Sequence, residues 1–365
     1  MLLRIAGDYR ASTASFEAAQ QRMGALSALS LREQGTSFII NDSTRSYEGE
    51  PFEQVMVHVY KALNYLQLGE RDGARVEALQ IDLKLRELGE KSGKHLGEAF
   101  SRYLTGIIYE DFGEWSDAMI AYRKAYEAYL QNQSKYRVDV PDFLKMDLLR
   151  LAHKLDLGEE QDKYRREFGI QDWQDKNQGS AGGELVFVLN NGLSPIKKEN
   201  SVVVPNPSRG SLVRISLPYY QPRPSPVSKM RVSAADEVVE GERVENIDAI
   251  ATGNLAEKIP VITARSMARV VAKQQMAVQA RKNKNDGLAA VIDIIGFITE
   301  QADTRAWSTL PHDVYLARFP LGAGSYTVKI ELRDRMDNIV AVQEFQNVLV
   351  QEGKKTYLSY HWVSL

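Results

Sequence analysis

The segment 103–125, YLTGIIYEDFGEWSDAMIAYRKA, restricts the fold of this chain more than any other part of the sequence. Two stretches with helical periodicity flank a turn that contains Gly113 and Trp115. Small residues in both stretches let two helices approach closely, and aromatic residues fill the space beside them. These residues are Gly106, Tyr109, Ala118, Tyr122 and Ala125. The segment therefore predicts a hairpin of two packed helices.

The same arrangement recurs in the first half of the chain. One copy covers residues 52–85, a weaker copy covers 141–168, and an incomplete copy stands at the beginning. The equivalent residues are Ala62, Tyr65, Gly69, Ala74 and Ala78, then Leu151 and Gly158, and at the beginning Gly7, Tyr9, Phe16 and Ala19. Such repeated hairpins are typical of tetratricopeptide (TPR) repeats, which stack into α-solenoids that bind other proteins. We therefore predict a TPR-like α-solenoid over residues 1–170.

The periodicity changes after a polar, glycine-rich stretch at 171–183, which we interpret as a linker. Residues 184–365 contain short runs rich in β-branched and aromatic residues, separated by turn residues. This pattern predicts an antiparallel β-sandwich or a barrel-like sheet. The stretch 260–301 instead predicts a helical hairpin inserted among the strands. The expected fold class is α+β, with two domains.

Composition excludes several kinds of chemistry. A formal net charge of −2 indicates no general attraction to nucleic acid. The chain has no cysteine, which excludes disulfides, thiolate metal ligands and a cysteine nucleophile. Its five histidines are scattered, and none has a second histidine at metal-ligand spacing. No apolar run approaches the length of about 20 residues that a membrane-spanning helix requires.

Two segments resemble catalytic motifs only superficially. The run 89–95, GEKSGKH, lacks the spacing and the hydroxyl residue of a phosphate-binding loop. The run 322–326, GAGSY, is followed by strand-like sequence, whereas a nucleophile elbow lies between a strand and a helix. A cell-wall hydrolase requires paired carboxylates in a cleft, and the sequence reveals no such pair. We therefore predict a protein that is not an enzyme, with no catalytic, metal-binding or cofactor-binding residues and no cofactor.

A charged loop is the best candidate for polar contact with a partner, because long loops on rigid scaffolds often carry function. Its candidate residues are Asp42, Arg45, Tyr47, Glu48 and Glu50. The alternative interpretation, which these residue types favour, is a turn followed by the first turn of a helix. Two tyrosines of the clearest hairpin, Tyr126 and Tyr129, are further candidates that could line the groove of the solenoid.

The inserted hairpin combines a basic helix with a very apolar one. The basic stripe consists of Arg265, Arg269 and Lys273, and the apolar candidates are Ile294, Ile295 and Phe297. Three interpretations are open: packing against the sheet of the same chain, contact with another copy, and binding to an anionic membrane surface. Packing within the chain is favoured, because an acidic residue interrupts the apolar helix and argues against deep burial in lipid.

Two long segments carry a resemblance to a known family: 41–69, NDSTRSYEGEPFEQVMVHVYKALNYLQLG, and 300–328, EQADTRAWSTLPHDVYLARFPLGAGSYTV. Together with the hairpins they resemble a family of poorly characterised bacterial cell-envelope proteins, many of them lipoproteins, with TPR-like helices before a β-rich tail. The resemblance implies a periplasmic or outer-membrane-associated protein of a Gram-negative bacterium. The chain departs from the family pattern because it has no export signal and no lipobox cysteine. The half hairpin at the beginning leads us to expect missing upstream sequence, where a lipid anchor would lie.

These features favour a non-enzymatic scaffold or assembly factor of the bacterial cell envelope that binds protein partners. Two alternatives stay open. A structural subunit of a larger envelope machine or filament would use the solenoid ends and the inserted hairpin for self-association. A cell-wall enzyme would use a deep pocket with two acids.

Overall fold

The computed structural model describes residues 1–37, 47–92, 99–170, 173, 182–205, 212–282 and 301–364. Within these ranges the chain is an α+β protein in which the helices come first and most of the strands follow. The helices before the first strand are α1 (Leu2–Ile5), α2 (Tyr9–Ser37), α3 (Pro51–Gln67), α4 (Arg71–Ser92), α5 (Ala99–Asp111), α6 (Trp115–Tyr136), α7 (Asp142–Lys154) and α8 (Gly158–Phe168). The strands are β1 (Gly182–Asn191), β2 (Ile196–Pro205), β3 (Leu212–Gln221), β4 (Lys229–Ala234), β5 (Glu237–Asn246), β6 (Asp313–Gly322), β7 (Gly324–Arg333), β8 (Ile339–Val350) and β9 (Lys355–Trp362), with helix α9 (Ile247–Lys282) between β5 and β6.

The helical turns lie where the glycine pattern predicts them. Gly7, Gly69 and Gly113 each adopt a positive φ, a backbone conformation that glycine tolerates best, immediately after a helix. At the fourth turn Gly158 instead begins α8, and Asp156 takes the left-handed conformation with φ 56°. A short polar side chain therefore replaces glycine at that helix end.

Helices α5 and α6 approach closely because one position has no side chain. A Cβ atom at Gly106 would lie 2.4 Å from the ring of Tyr122. The ring of Tyr122 also packs edge-on against Tyr103, with the ring centroids 5.6 Å apart. The combination of glycine and aromatic residues in this hairpin thus has the packing role that the sequence indicates.

A seven-stranded mixed sheet has the strand order β8-β7-β4-β5-β6-β1-β9, and β2 and β3 form a separate antiparallel pair. The expectation of a purely antiparallel sheet is wrong, because β9 pairs with β1 in parallel. Strands β8 and β9 follow each other in the chain but lie at opposite edges, so the sheet curls until it is nearly closed. Phe345 of β8 reaches across, with its ring centroid 5.9 Å from Phe187 of β1 and 6.0 Å from Tyr360 of β9.

Two elements differ from the predicted pattern of strands and helices. Strand β5 lies outside the strand pattern of the sequence because half of its residues, EVVEGERVEN, are charged, yet it pairs with β4 and β6 inside the sheet. Helix α9 begins at Ile247, where Asn246 caps the backbone N–H of Ala249 at 3.1 Å, and not at Pro260. Pro260 lies inside the helix, although proline suits a first turn best. The rest of the predicted insertion, 283–300, lies outside the described residues.

The two faces of the sheet belong to two different cores. Leu185, Phe187 and Leu189 of β1 point into the curled sheet, where they join apolar residues of β4, β6 and β7. Val186 and Val188, which alternate with them, face the helices and share one apolar cluster with α3, α5 and α6. The helical part and the sheet are therefore packed directly against each other. Among the described helices, none is long and apolar enough to cross a membrane.

Candidate functional site

A network of buried and half-buried charges joins the helices to the sheet. Its six members come from five elements: Glu110 of α5, Asp147 and Arg150 of α7, Glu184 of β1, Arg318 of β6 and Lys355 of β9. We call these residues the junction network. Three acids face three bases, so the network is balanced in charge. Such a set fixes the relative position of the elements that contribute to it, because any displacement would leave a buried charge unpaired.

Arg318 is the centre of the network. Its Nε donates to Glu184 at 2.7 Å, and its guanidinium also binds the carboxylate of Asp147. Arg150 donates to Glu110 at 2.8 Å and to Asp147 at 2.7 Å. Lys355 completes the ring by binding Glu110 at 3.1 Å and also Glu184.

Two tyrosines from the predicted hairpin complete the hydrogen bonding. The hydroxyl of Tyr103 donates to Asp147 at 2.9 Å, and that of Tyr122 donates to Glu110 at 2.6 Å. Both tyrosines are fully buried. The hairpin packing between Gly106 and Tyr122 thus also positions an acid of the junction network.

The surrounding cations control the ionisation of Glu110 and Glu184. Burial by itself would raise the pKa of Glu184, but Arg318 and Lys355 outweigh it and lower the pKa to about 2. In the same way burial opposes ionisation of Glu110, whereas Lys355, Arg150 and Arg318 hold its pKa well below the usual range. Both carboxylates are therefore charged at neutral pH, and neither can act as a proton donor there.

An open cleft of about 980 Å³ lies beside the junction network, between α5, α6 and α7 on one side and β1, β6 and the turn before β9 on the other. We call it the junction cleft. Aromatic residues form much of its wall: Phe112, Trp115, Phe143, Trp173 and Phe319. The junction network forms part of the lining, and Gly182, Gly183 and Gly353 contribute backbone without side chains. A cavity of this size with apolar walls and a few polar groups is typical of a ligand site.

The cationic residues of the cleft outnumber its acids. The lining contains Arg150, Lys154, Arg318, Lys354 and Lys355 against Glu110, Asp111, Asp147 and Glu184. Asp111 is in addition paired with Arg71, which is not in the lining, at 2.9 Å. Lys154 and Lys354 are exposed, and the ammonium of Lys154 lies 3.5 Å from the centroid of the Trp115 ring. Among the described lining residues, the positive charges are thus slightly in excess.

The described part of the predicted charged loop is bound within the chain. Glu50 is paired with Lys197 at 2.9 Å and with Lys258, and it forms a capping box with Glu53 at the start of α3. The hydroxyl of Tyr47 donates to Glu53 at 2.5 Å, and the backbone oxygen of Glu48 accepts from a glutamine amide. These contacts agree with the alternative interpretation of the loop as a helix start. Asp42 and Arg45 lie outside the described residues.

The other predicted contact residues have varied positions. Tyr129 is buried and donates to the backbone oxygen of Val244 at 2.8 Å, and Tyr126 is buried and donates to Glu167 at 2.6 Å. On α9, Arg265 is half-buried and Arg269 is buried. Lys273 belongs to α9, but its side chain is not described. The apolar candidates, Ile294, Ile295 and Phe297, lie outside the described residues.

The junction network was missed from the sequence because its members are far apart in the chain. A local signal existed in each case. Arg318 interrupts the apolar run VYLARF, and Asp147 interrupts the apolar face of DFLKMDLLRL. A charge on an otherwise buried face requires a partner, although the sequence does not name it.

No protein-family model, curated protein or solved structure matches this chain. Its site therefore has to be assessed on its own geometry. Over the described ranges, no group of three or more histidine or acidic side chains is placed to hold a metal ion.

Proposed function

We propose that this protein is a non-enzymatic binding protein, a scaffold or assembly factor, and that a protein partner occupies the junction cleft. The observation that carries the proposal is the combination of an open, aromatic-walled cleft with a locked and charge-balanced network beside it. The network holds both walls in place, so the cleft is pre-organised. Binding to a pre-organised site avoids much of the entropic cost of association.

The finer description of the fold belongs to the same proposal. We take the helical pairs before β1 to be a TPR-like solenoid of about four hairpins. The nearly closed sheet is then a barrel-like module docked against it. In this arrangement tyrosines such as Tyr129 bind the strands of the same chain, and the partner uses the cleft beside them.

An envelope location is supported by the resemblance carried by segments 41–69 and 300–328. These two segments also meet in space. The backbone N–H of Trp307 donates to Glu53 at 2.7 Å, and the rings of Trp307 and Tyr60 lie 6.0 Å apart. We propose that the two segments are one packing unit of the envelope family and that the protein acts in the periplasm or at the outer membrane.

A cell-wall enzyme is a less favoured alternative, which we consider because acids line a cleft. The chemistry of these acids argues against it. A glycosidase needs one carboxylic acid whose pKa is raised so that it can protonate the leaving group. Glu110 and Glu184 instead have lowered pKa values, since cations bind both of them.

Pull-down from a bacterial envelope extract tests the proposed function. Met146 lines the cleft and is 37% exposed, so Met146→Trp should block the cleft without disturbing the core. Ile120→Trp is the matched control, since Ile120 is 45% exposed on α6 and does not line the cleft. We expect the same protein to be recovered by the wild type and the control but not by Met146→Trp. Recovery of no specific protein, or equal recovery by both variants, would contradict the proposal.

A further inference from the structure

We infer that the junction cleft recognises an acidic segment of its protein partner, with a carboxylate bound by the exposed cations of the cleft and an apolar side chain bound by its aromatic wall. This inference rests on the proposed function and adds the chemistry of the partner. It follows from three features of the cleft: unused cationic donors, exposed aromatic surface and a small surplus of positive charge.

Helix α7 supplies the cationic donors. Arg150 and Lys154 are four residues apart, so they lie on the same face of the helix, and both line the cleft. Among the described residues, the guanidinium of Arg150 bonds to Glu110 and Asp147 through a single nitrogen, Nη2. An arginine has five N–H donors in a planar fork, so Arg150 retains donors that suit a carboxylate.

Lys154 and Lys354 add charge on opposite walls. Lys154 belongs to α7 and rests on the ring of Trp115, whereas Lys354 belongs to the turn between β8 and β9. The described part of the chain provides no carboxylate partner for either ammonium. An acidic group that enters the cleft therefore meets cations from both the helices and the sheet, without having to break the junction network.

Aromatic residues provide the apolar part of the site. Trp115 and Trp173 are half-buried, so each exposes part of its ring, and Trp173 is held edge-on against His153 with the centroids 5.7 Å apart. Aromatic rings with one exposed side are frequent anchors in protein interfaces. Gly353 leaves space for a peptide backbone to approach the wall, because no atom lies within 4 Å of the position that its Cβ would take.

The size of the charge surplus identifies the class of anion. Within the described lining, one or two positive charges have no acidic counterpart. They match one or two carboxylates, whereas a nucleic acid or an anionic membrane is bound by many basic residues together. The chain as a whole carries −2, so no overall positive charge attracts a polyanion. An acidic peptide segment is thus the occupant that the cleft fits best.

Fluorescence anisotropy with four labelled octapeptides tests the inference on the full chain. The first peptide contains two glutamates beside a phenylalanine; the others replace the glutamates by glutamine, the glutamates by lysine, or the phenylalanine by serine. We expect the first peptide to bind about tenfold more tightly than each of the others, with affinity that falls as salt shortens the screening length from about 8 Å. Equal binding of the glutamate and glutamine peptides, or binding of none, would overturn the inference.

Charge-reversal variants locate the binding. Lys154→Glu and Lys354→Glu should each weaken binding of the first peptide about tenfold. Lys163→Glu is the matched control: Lys163 is exposed and also lies over an aromatic ring, that of Tyr164, but it does not line the cleft. Equal loss in the control would contradict the site. If the envelope partner is captured by the wild type and equally by Lys154→Glu, then the acidic chemistry is wrong while the proposed function stands.

Discussion

Two sets of buried and half-buried acids join the helices to the sheet, and they differ in how their charge is compensated. The acids of the junction network are bound by three cations. The second set, Glu242 and Glu245 of β5, forms no ion pair among the described residues, although Lys145 acts on Glu242 from a distance. Each accepts backbone N–H groups near the N-terminus of a helix: Glu242 from the first residues of α7, and Glu245 from Phe100 of α5. We call this second set the β5 acids.

The pKa values of the two sets are shifted in opposite directions. Burial raises the pKa of Glu245 to about 8 and that of Glu242 to about 7, because helix N-termini compensate a carboxylate less than full cations do. Cations lower the pKa of Glu184 to about 2 against the same burial. Acidity of the medium should therefore loosen the junction network, and alkalinity should loosen the contact of β5 with the helices. An acid can hold a helix to a sheet as a neutral carboxylic acid or as a charged carboxylate. In these two sets the charged form is retained only where cations bind the acid.

Replacement of Arg318 should give the largest effect, because it removes the centre of the junction network. Arg318→Met keeps much of the volume but removes one of the two cations that bind the buried Asp147 and one of the two that bind Glu184. We expect a loss of about 3–5 kcal/mol in the free energy of unfolding, measured by urea denaturation at pH 7.

The control for Arg318 is an exposed pair on the same sheet. Arg231 of β4 binds Glu240 at 2.5 Å, but the two side chains are 35% and 55% exposed, so water screens the pair and Arg231→Met should cost less than about 1 kcal/mol. If Arg318→Met is no more destabilising than Arg231→Met, the junction network does not hold the two parts together.

The β5 acids should make the protein less stable as the pH rises. The pKa of Glu245 is higher in the folded chain than in the unfolded chain, so the folded state retains a proton that the unfolded state loses above about pH 4.5. The free energy of unfolding should then fall by at most about 1.4 kcal/mol per pH unit, from about pH 5 until the pH exceeds 8. Urea denaturation of wild type and Glu245→Gln at pH 6, 7, 8 and 9 measures this contribution as the difference between the two curves.

The low-pH part of the curve of unfolding free energy against pH gives the complementary comparison. The lowered pKa of Glu184 contributes stability above its unfolded value, and this contribution is lost as the pH falls toward 2. Glu245→Gln should leave this loss of stability at low pH unchanged. Parallel curves for wild type and Glu245→Gln between pH 6 and 9 would show that Glu245 is already ionised in the folded protein and would remove the contrast between the two sets.

Much of the fold follows from local sequence, whereas the site does not. Glycine turns and helical periodicity predict the paired helices, because each signal lies within one hairpin. Most strands are also recognisable from their β-branched residues. Strand β5 is the exception: its glutamates, which read as solvent-exposed, accept N–H groups from α5 and α7, elements more than 90 residues earlier in the chain. The same limit hides the junction network, whose members are brought together only by the packing of helices on the sheet.

The smallest expected effect comes from the glycine that lets α5 and α6 approach. Gly106→Ala would place a methyl group 2.4 Å from the ring of Tyr122, whose hydroxyl binds Glu110 of the junction network. The ring must move, so we expect a loss of about 1–3 kcal/mol in the free energy of unfolding by urea denaturation. Gly89 of α4 is the matched control, because it is also helical but has no atom within 4 Å of the added Cβ, and Gly89→Ala should stabilise the protein by up to about 1 kcal/mol. Since Tyr122 contacts the junction network and not the β5 acids, Gly106→Ala should leave the alkaline slope of stability unchanged. A change in that slope would mean that the two sets of acids are not independent. Equal effects of the two glycine substitutions would mean that the close approach at Gly106 is not needed.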